Sequence, residues 1–405
     1  MNARVGISAA ALACVAAAAG AAPVLIDHRD ADIAQQTAAQ IDRAKAALHI
    51  AYGHTSHGSQ LTEGMAGLVD FANGGGKGLA LPADIFAWND GGSGGALDLH
   101  DYALCNDVGY YPDWVVCTSN YLDDPANADV NVVIWSWCGQ MDDKYEAGTL
   151  TNEYLAPMAA FERDYPRVAF VYMTGHVDIW DDADNKAACA AIRAWCATND
   201  RILYDFNDIE HHDPDGAYYE YVNDDCGVYD GAGGTETGNW AIAWQTSHVQ
   251  GVDWYECSAA HSQPLNGNLK AYAAWALWCR LGADRDRDEI ADAWEERHGG
   301  MERFGGGASD CDGDGLTDWE EYVQDSEPTN AGPRFAIAGL VPTNPPALEF
   351  ASSTGRVYSL LGCDDLEAGS WQAVTSRPGT GAAMRLADPM ALHGVRAYGV
   401  GVSVP

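Results

Sequence analysis

Between residues 30 and 281 two apolar patterns alternate along the chain. In residues 30–47, Ile33, Ala34, Ala38, Ile41 and Ala44 recur at helical spacing. The run LHIAY at 48–52 then reads as a strand, followed by a helix over 59–73. The alternation continues with NVVIWSW (131–137) as strand, 152–164 as helix, RVAFVYM (167–173) as strand, 184–198 as helix and RILYDF (201–206) as strand, and a last helix covers 266–281. Strands this short and this continuously apolar, separated by helices, predict a parallel sheet covered on both faces: a three-layer, flavodoxin-like α/β domain.

Right-handed crossovers bring the carboxyl ends of such strands to one rim, where ligand crevices form. The residues that follow the strands are His54, Thr55 and Ser56; Cys138, Gly139, Gln140 and Asp142; Thr174, Gly175, His176 and Asp178; and Asn207, Asp208 and Glu210. Four strand ends rich in polar chemistry mark that rim as the candidate site. After Gly282 the pattern breaks into an acidic segment, and from Gly332 it becomes alternating strands with Gly and Pro turns. The expected organisation is a leader over 1–21, an α/β domain over 22–282, a linker over 283–332 and a small β domain over 333–405.

Composition adds a compartment and excludes some partners. With 405 residues, 47% of them hydrophobic, and 14 tryptophans, the chain has ample material for cores. A net charge of −37 argues against nucleic acid and anionic membrane surfaces, which need basic patches. The opening MNARVGISAAALACVAAAAGAAP ends in Ala19-Gly20-Ala21, a small-x-small cleavage pattern, so the protein is expected to be exported, secreted or periplasmic. An alternative takes Ala11-Leu12-Ala13-Cys14 as a lipoprotein box, and only then would the protein touch a membrane. Of 11 cysteines, ten follow Cys14, an even number that suits disulfides in an exported chain. Cys105 with Cys117 and Cys226 with Cys257 are candidate pairs, whereas Cys189 and Cys196 sit about 10 Å apart along a helix, too far to bridge.

Asp310-Cys311-Asp312-Gly313-Asp314-Gly315-Leu316-Thr317-Asp318-Trp319-Glu320-Glu321 has the spacing of a calcium loop. Oxygen ligands fall at Asp310, Asp312, Asp314, the Leu316 carbonyl, Asp318 and Glu321, with Gly315 at the sharp turn. Asp284, Asp286, Asp288, Asp292 and Glu295 repeat the spacing, with Glu289 where the glycine belongs. Together these segments resemble the paired DxDGDG-type calcium modules of thrombospondin type 3 and dockerin repeats. That implies a structural Ca²⁺ in a linker between domains.

The stretch GHTSHGSQ (53–60) places Ser56 on the turn after the first predicted strand, and His261 stands just before the last helix. A serine needs such a base to attack a carbonyl. A serine after the first strand, a Gly-x-polar turn after a middle strand (Gly139-Gln140) and a late histidine resemble the SGNH hydrolase superfamily over about residues 45–282. The resemblance implies a serine esterase with Ser56 as nucleophile, His261 as base and Gly139-Gln140 as oxyanion donors. The family's Gly-Asp-Ser block is His-Thr-Ser here, and Ser258 stands where the orienting acid is expected, so Asp253 or Glu256 would have to replace it.

His54, His57, His176 and Asp178 read as substrate contacts or, alternatively, as ligands of a zinc that activates water. Trp88, Tyr102, Tyr110, Tyr111, Trp114, Tyr218, Tyr219, Tyr221, Trp240, Trp244 and Trp254 populate the long connections and either pack them or offer faces to a polysaccharide. Cys138 reads as a buried or disulfide-bonded thiol. The expected function is deacylation of a carbohydrate or other extracellular ester. A carbohydrate- or surface-binding protein without catalysis and a metal-dependent hydrolase are the alternatives.

Overall fold

The computed structural model describes residues 24–284, 288–300, 303–304, 309–332, 334–341, 347–363, 371–389 and 397–404. The expected leader, with Cys14, lies outside them. The chain forms two compact units, one running to Arg285 and the other beginning at Asp286.

The first unit is built on seven strands: β1 (Leu25–Ile26), β2 (His49–Gly53), β3 (Trp88–Asn89), β4 (Leu97–His100), β5 (Val132–Trp135), β6 (Ala169–Met173) and β7 (Ile202–Tyr204). They lie in the order β1-β7-β6-β5-β2-β4-β3, every neighbouring pair parallel. The chain reverses direction across the sheet between β2 and β5, so a crevice is expected outside their carboxyl ends. Side chains alternate between two apolar cores. Ile50, Tyr52, Val132, Ile134, Val171, Met173 and Tyr204 enter one, and Ala51, Val133, Trp135, Phe170, Tyr172 and Leu203 the other. A sheet buried on both faces has no polar side, hence the continuous apolar runs in the sequence.

The helices are α1 (Ala38–Ala47), α2 (Ser59–Asn73), α3 (Asp113–Leu122), α4 (Met141–Glu146), α5 (Ala156–Asp164), α6 (Asp182–Asn199), α7 (Phe206–Glu210), α8 (Trp240–Ser247) and α9 (Pro264–Leu281). A short hairpin, β8 (Gly227–Tyr229) with β9 (Glu236–Asn239), lies between α7 and α8. The single helix expected over 30–47 is instead two short turns and α1. Thr37 and Gln40 form a capping box that starts a new helix at Ala38.

Helix α9 is buried from Leu265 to Cys279, its second half, from Ala271, apolar on every side and its first half carrying the buried polar residues Asn266, Asn268 and Lys270. It packs on α2 so closely that a Cβ on Gly64 would fall 2.1 Å from the Gly267 carbonyl oxygen. Inside this contact Lys270 and Glu210 form a wholly buried ion pair at 2.5 Å, and Lys270 also bonds Gln60 of α2. Glu210 in turn accepts from Val177 N at 2.7 Å and Asn266 Nδ2 at 3.2 Å. The α2–α9 pairing sets the loops that precede the two helices side by side, as the bond from Gln60 Nε2 to Ala260 O at 2.5 Å records.

In the second unit, α10 (Asp292–His298) and α11 (Asp318–Gln324) accompany two antiparallel sheets. One has the order β10 (Ile337–Val341), β11 (Ala347–Ala351), β14 (Ala383–Ala387), and the other β13 (Gln372–Pro378), β12 (Val357–Cys363), β15 (Ala397–Ser403). Val323 of α11 sits in the same apolar core as Leu348, Phe350, Tyr358 and Leu360. The acidic segment and the β strands therefore share one core. No helix among the described residues is long and apolar enough to cross a membrane.

Candidate active site

The turn after β2 is forced tight by two glycines. A Cβ on Gly53 would meet the Trp135 ring at 2.4 Å, and one on Gly58 the Ser136 hydroxyl at 2.2 Å. His54 is buried, with Nδ1 at 2.9 Å from Thr55 O and Nε2 at 2.7 Å from Asp101. With both ring nitrogens engaged, His54 braces the turn and holds nothing in the pocket. Thr55 donates to Asp107 Oδ2 at 2.9 Å. No side chain caps α2, so helix capping does not account for Ser56.

Ser56 stands at the rim, its Oγ 3.1 Å from His261 Nε2. His261 reaches it from a left-handed backbone conformation, φ +63°, just before α9. Ser56 Oγ also lies 3.3 Å from Cys138 Sγ, on the turn after β5. Its one proton faces either the imidazole or the sulfur at any moment.

His57 is buried beside this pair and bonds on both edges: Nδ1 to Cys138 Sγ at 3.2 Å and Nε2 to Asp224 Oδ2 at 3.1 Å. Its ring is stacked between those of His176, 3.9 Å away, and His261, 4.4 Å away. Burial alone would lower the His57 pKa, but the bonds to Asp224 and Cys138 more than reverse this and push it up to about 9. For Asp224, burial raises the pKa and is outweighed by the bond to His57 and by the nearby imidazoles, so it stays below the usual carboxylate range. The Cys138 thiol is pulled down to about 6, chiefly by the bond from His57, against the opposing effect of burial and with help from Ser56 and Thr55.

Several expected roles are redistributed. Gln140 does not open an amide toward Ser56: its Oε1 accepts from Cys138 N at 3.3 Å and its side chain also bonds Asp107. Gly139 keeps a positive φ of +83°, and its N–H meets no hydrogen-bond acceptor among the described residues. Asp253 does not orient His261. It accepts from Val249 N at 2.8 Å inside its own loop, while Glu256 is exposed. The carboxylate that serves this pocket is Asp224, and it serves His57. His176 donates from Nδ1 to Val177 O at 2.6 Å, and Asp178 accepts from Trp180 N at 2.8 Å within the loop before α6.

The set His54, His57, His176 and Asp178 does not converge on one point, because His54 is fully engaged elsewhere and Asp178 faces Asp142 and Asp181. Nitrogen or oxygen atoms of His57, Asp224 and His261 do lie within 4.8 Å of one another. In the structure these groups bond within the site, His57 to Asp224 and His261 to Ser56.

The cysteines after Cys14 are free thiols, so neither expected bridge is closed. Cys226 Sγ bonds Ser262 Oγ at 3.4 Å and Cys257 Sγ bonds Pro264 O at 3.4 Å, whereas Cys105 N donates to Cys117 Sγ at 2.9 Å. Cys138 is neither deeply buried nor bridged, contrary to the sequence reading, because it sits on the pocket turn. Asp224 and Cys138 are the residues that pattern reading missed. Asp224 lies in an aperiodic connection, near only the candidate cysteine Cys226 and the aromatic residues Tyr218, Tyr219 and Tyr221. Among the aromatics, Trp114, Trp240, Trp244 and Trp254 are buried packing, while Tyr102, Tyr110, Tyr111, Tyr218 and also Trp180 are exposed.

In the second unit the acidic loop has its own geometry. Asp310 accepts from the N–H groups of Gly313 at 2.8 Å and Gly315 at 3.0 Å, and Asp318 Oδ1 from Cys311 N at 2.9 Å. Asp312 Oδ2, Asp318 Oδ2 and Glu321 Oε2 are buried without a hydrogen-bond partner among the described residues. Burial, together with repulsion from Asp312, Asp314 and Asp318, pushes the Glu321 carboxyl up to about 7. Asp286 of the second expected loop lies outside the described residues, while Asp292 and Glu295 are buried.

Comparison with family models, with curated proteins and with solved structures found no significant match.

Proposed function

We propose that this protein is an exported ester hydrolase of SGNH type, with a flavodoxin-like first domain, in which Ser56 attacks an ester carbonyl and His261 is the base. The observation that carries this reading is the 3.1 Å approach of Ser56 Oγ to His261 Nε2 across 205 residues of sequence. In the reaction His261 takes the Ser56 proton as Oγ bonds to the carbonyl carbon, then returns it to the departing alcohol. Water, activated by the same imidazole, releases the acid and restores the hydroxyl. Gly139 is the candidate oxyanion donor, since Gln140 is otherwise engaged. The substrate class is an acylated polysaccharide, which the exposed rings of Tyr102, Tyr110, Tyr111 and Trp180 suit.

The second unit is proposed to hold a structural Ca²⁺ on Asp310, Asp312, Asp314, the Leu316 carbonyl, Asp318 and Glu321. Buried carboxylate oxygens with no donor are what a hard cation satisfies. The ion would brace that unit and take no part in the ester chemistry.

Hydrolysis of p-nitrophenyl acetate tests the enzyme reading. Ser56→Ala and His261→Ala should each lower kcat/KM by at least about a hundredfold with the fold intact, the size expected when a general base or nucleophile is lost. Turnover that survives both substitutions, with no acyl adduct trapped on Ser56 of the unsubstituted protein, would refute it.

A further inference from the structure

Ser56 and His261 leave three groups of the same pocket without a task. We propose that Cys138, His57 and Asp224 form a second nucleophilic relay, in which the sulfur accepts an acyl group from an ester or thioester as a covalent thioester. This goes beyond the Ser56 reading and does not depend on it.

The wiring is that of a nucleophile, a base and an orienting acid. Asp224 at 3.1 Å holds the proton on His57 Nε2, which leaves Nδ1, 3.2 Å from Sγ, to take the thiol proton. Stacking against His176 and His261 fixes the plane of the ring, so both bonds persist together. Cys138 itself is partly exposed on the turn after β5, next in the chain to Gly139.

Other cysteines in the chain supply the contrast. Cys226 and Cys257 lie among packed side chains, and burial pushes both thiols up to about 12, whereas Cys138 is pulled down to about 6. Packing disfavours ionisation of Cys226 and Cys257, whereas Cys138 has the donors His57, Ser56 and Thr55 around it.

In the step itself the Cys138 thiolate bonds to the carbonyl carbon and the bond to the leaving alcohol or thiol breaks. The leaving group takes its proton from His57 Nδ1. Water then attacks the thioester with His57 as base, releasing the carboxylic acid and regenerating the thiolate–imidazolium pair. No oxidant or reductant enters.

Two readouts on the full-length protein test the proposal. The first is iodoacetamide alkylation at pH 6.5, followed by peptide mapping. A thiol ionised at this pH gains in thiolate fraction and loses part of that gain in intrinsic nucleophilicity, so Cys138 should react about fivefold faster than an unstructured cysteine. His57→Phe should abolish that advantage and Asp224→Asn reduce it. His57→Gln, which keeps a polar side chain in place, guards against a folding defect.

The second readout is incubation with p-nitrophenyl acetate and acid quench. An acetyl adduct on Cys138 that neutral hydroxylamine removes, present also in Ser56→Ala, supports the proposal. An adduct on Ser56 alone, or alkylation of Cys138 no faster than the unstructured control, overturns it and leaves the Ser56 esterase standing. An adduct on Cys138 with none on Ser56 sustains the proposal and sinks the Ser56 reading. No adduct on either residue removes both.

Discussion

The pocket at the rim of the first unit and the acidic loop of the second both draw carboxylates in from the surface, Asp224 only partly, and they treat them in opposite ways. Asp224 is matched from within the chain: His57 meets it at 3.1 Å, and its carboxyl is held below the usual range. In the loop, Asp312, Asp318 and Glu321 each present a buried oxygen that no group among the described residues meets, and the Glu321 carboxyl is pushed up. A buried charge without a partner costs several kcal/mol, so it either takes up a proton or recruits an ion. The comparison sets a carboxylate that finds its partner within the chain against carboxylates that, on our proposal, find theirs in a cation.

The largest way to break this contrast is chelation. Removing Ca²⁺ should destabilise the second unit by about 4 kcal/mol relative to protein held at a thousandfold excess over the dissociation constant, and leave the first unit's transition in place. Calorimetry with and without a calcium chelator reads both transitions. Equal stability of the second unit in the two conditions would contradict the assignment.

Next in size is Lys270→Met. It leaves Glu210 buried without its 2.5 Å partner and should cost about 3–5 kcal/mol in the first unit alone. Because Lys270 also ties α9 to Gln60 of α2, the Ser56–His261 approach should loosen with it. Denaturant unfolding measures the first effect and p-nitrophenyl acetate turnover the second.

Smaller, and of the same sign in the two regions but in different pH windows, are the pH effects. Glu321 has a folded pKa of about 7 against 4.5 when unfolded, so the folded state binds the extra proton between these values. The calcium-free second unit should therefore lose stability as pH rises from about 4.5 to 7, and added calcium should cancel the slope. His57 has a folded pKa of about 9 against 6.5, so its contribution to the first unit is fully present below about 6.5 and is lost as pH rises through about 9. Thermal melts across this range separate the two. A flat profile in the calcium-free second unit would remove the idea that Glu321 feels its neighbours.

The sheet's central strands were legible because burial on both faces leaves an unbroken apolar run, as in residues 132–135 and 169–173. Strands β1 and β3 have two residues each, too few to carry any period. The approach of Ser56 to His261 follows from strand order once α2 and α9 are recognised as neighbours. The place of Asp224 does not, because the stretch that carries it has no repeat to anchor it and its partner His57 is three-dimensional information. Cys138 was misjudged for a related reason: composition says how many thiols there are, and only geometry says which one has an imidazole and a hydroxyl within 3.3 Å. Gln140 was assigned by analogy of position, and its amide is taken by Asp107 and Cys138 N.

The central claim is that Ser56 is an activated nucleophile. It is tested most directly by reacting the full-length protein with a fluorophosphonate and mapping the modified peptide. The account predicts a single phosphonyl adduct on Ser56, formed at least about a hundredfold more slowly in a folded His261→Gln variant. A folded protein in which Ser56 stays unmodified, or is modified as fast without His261, would contradict it.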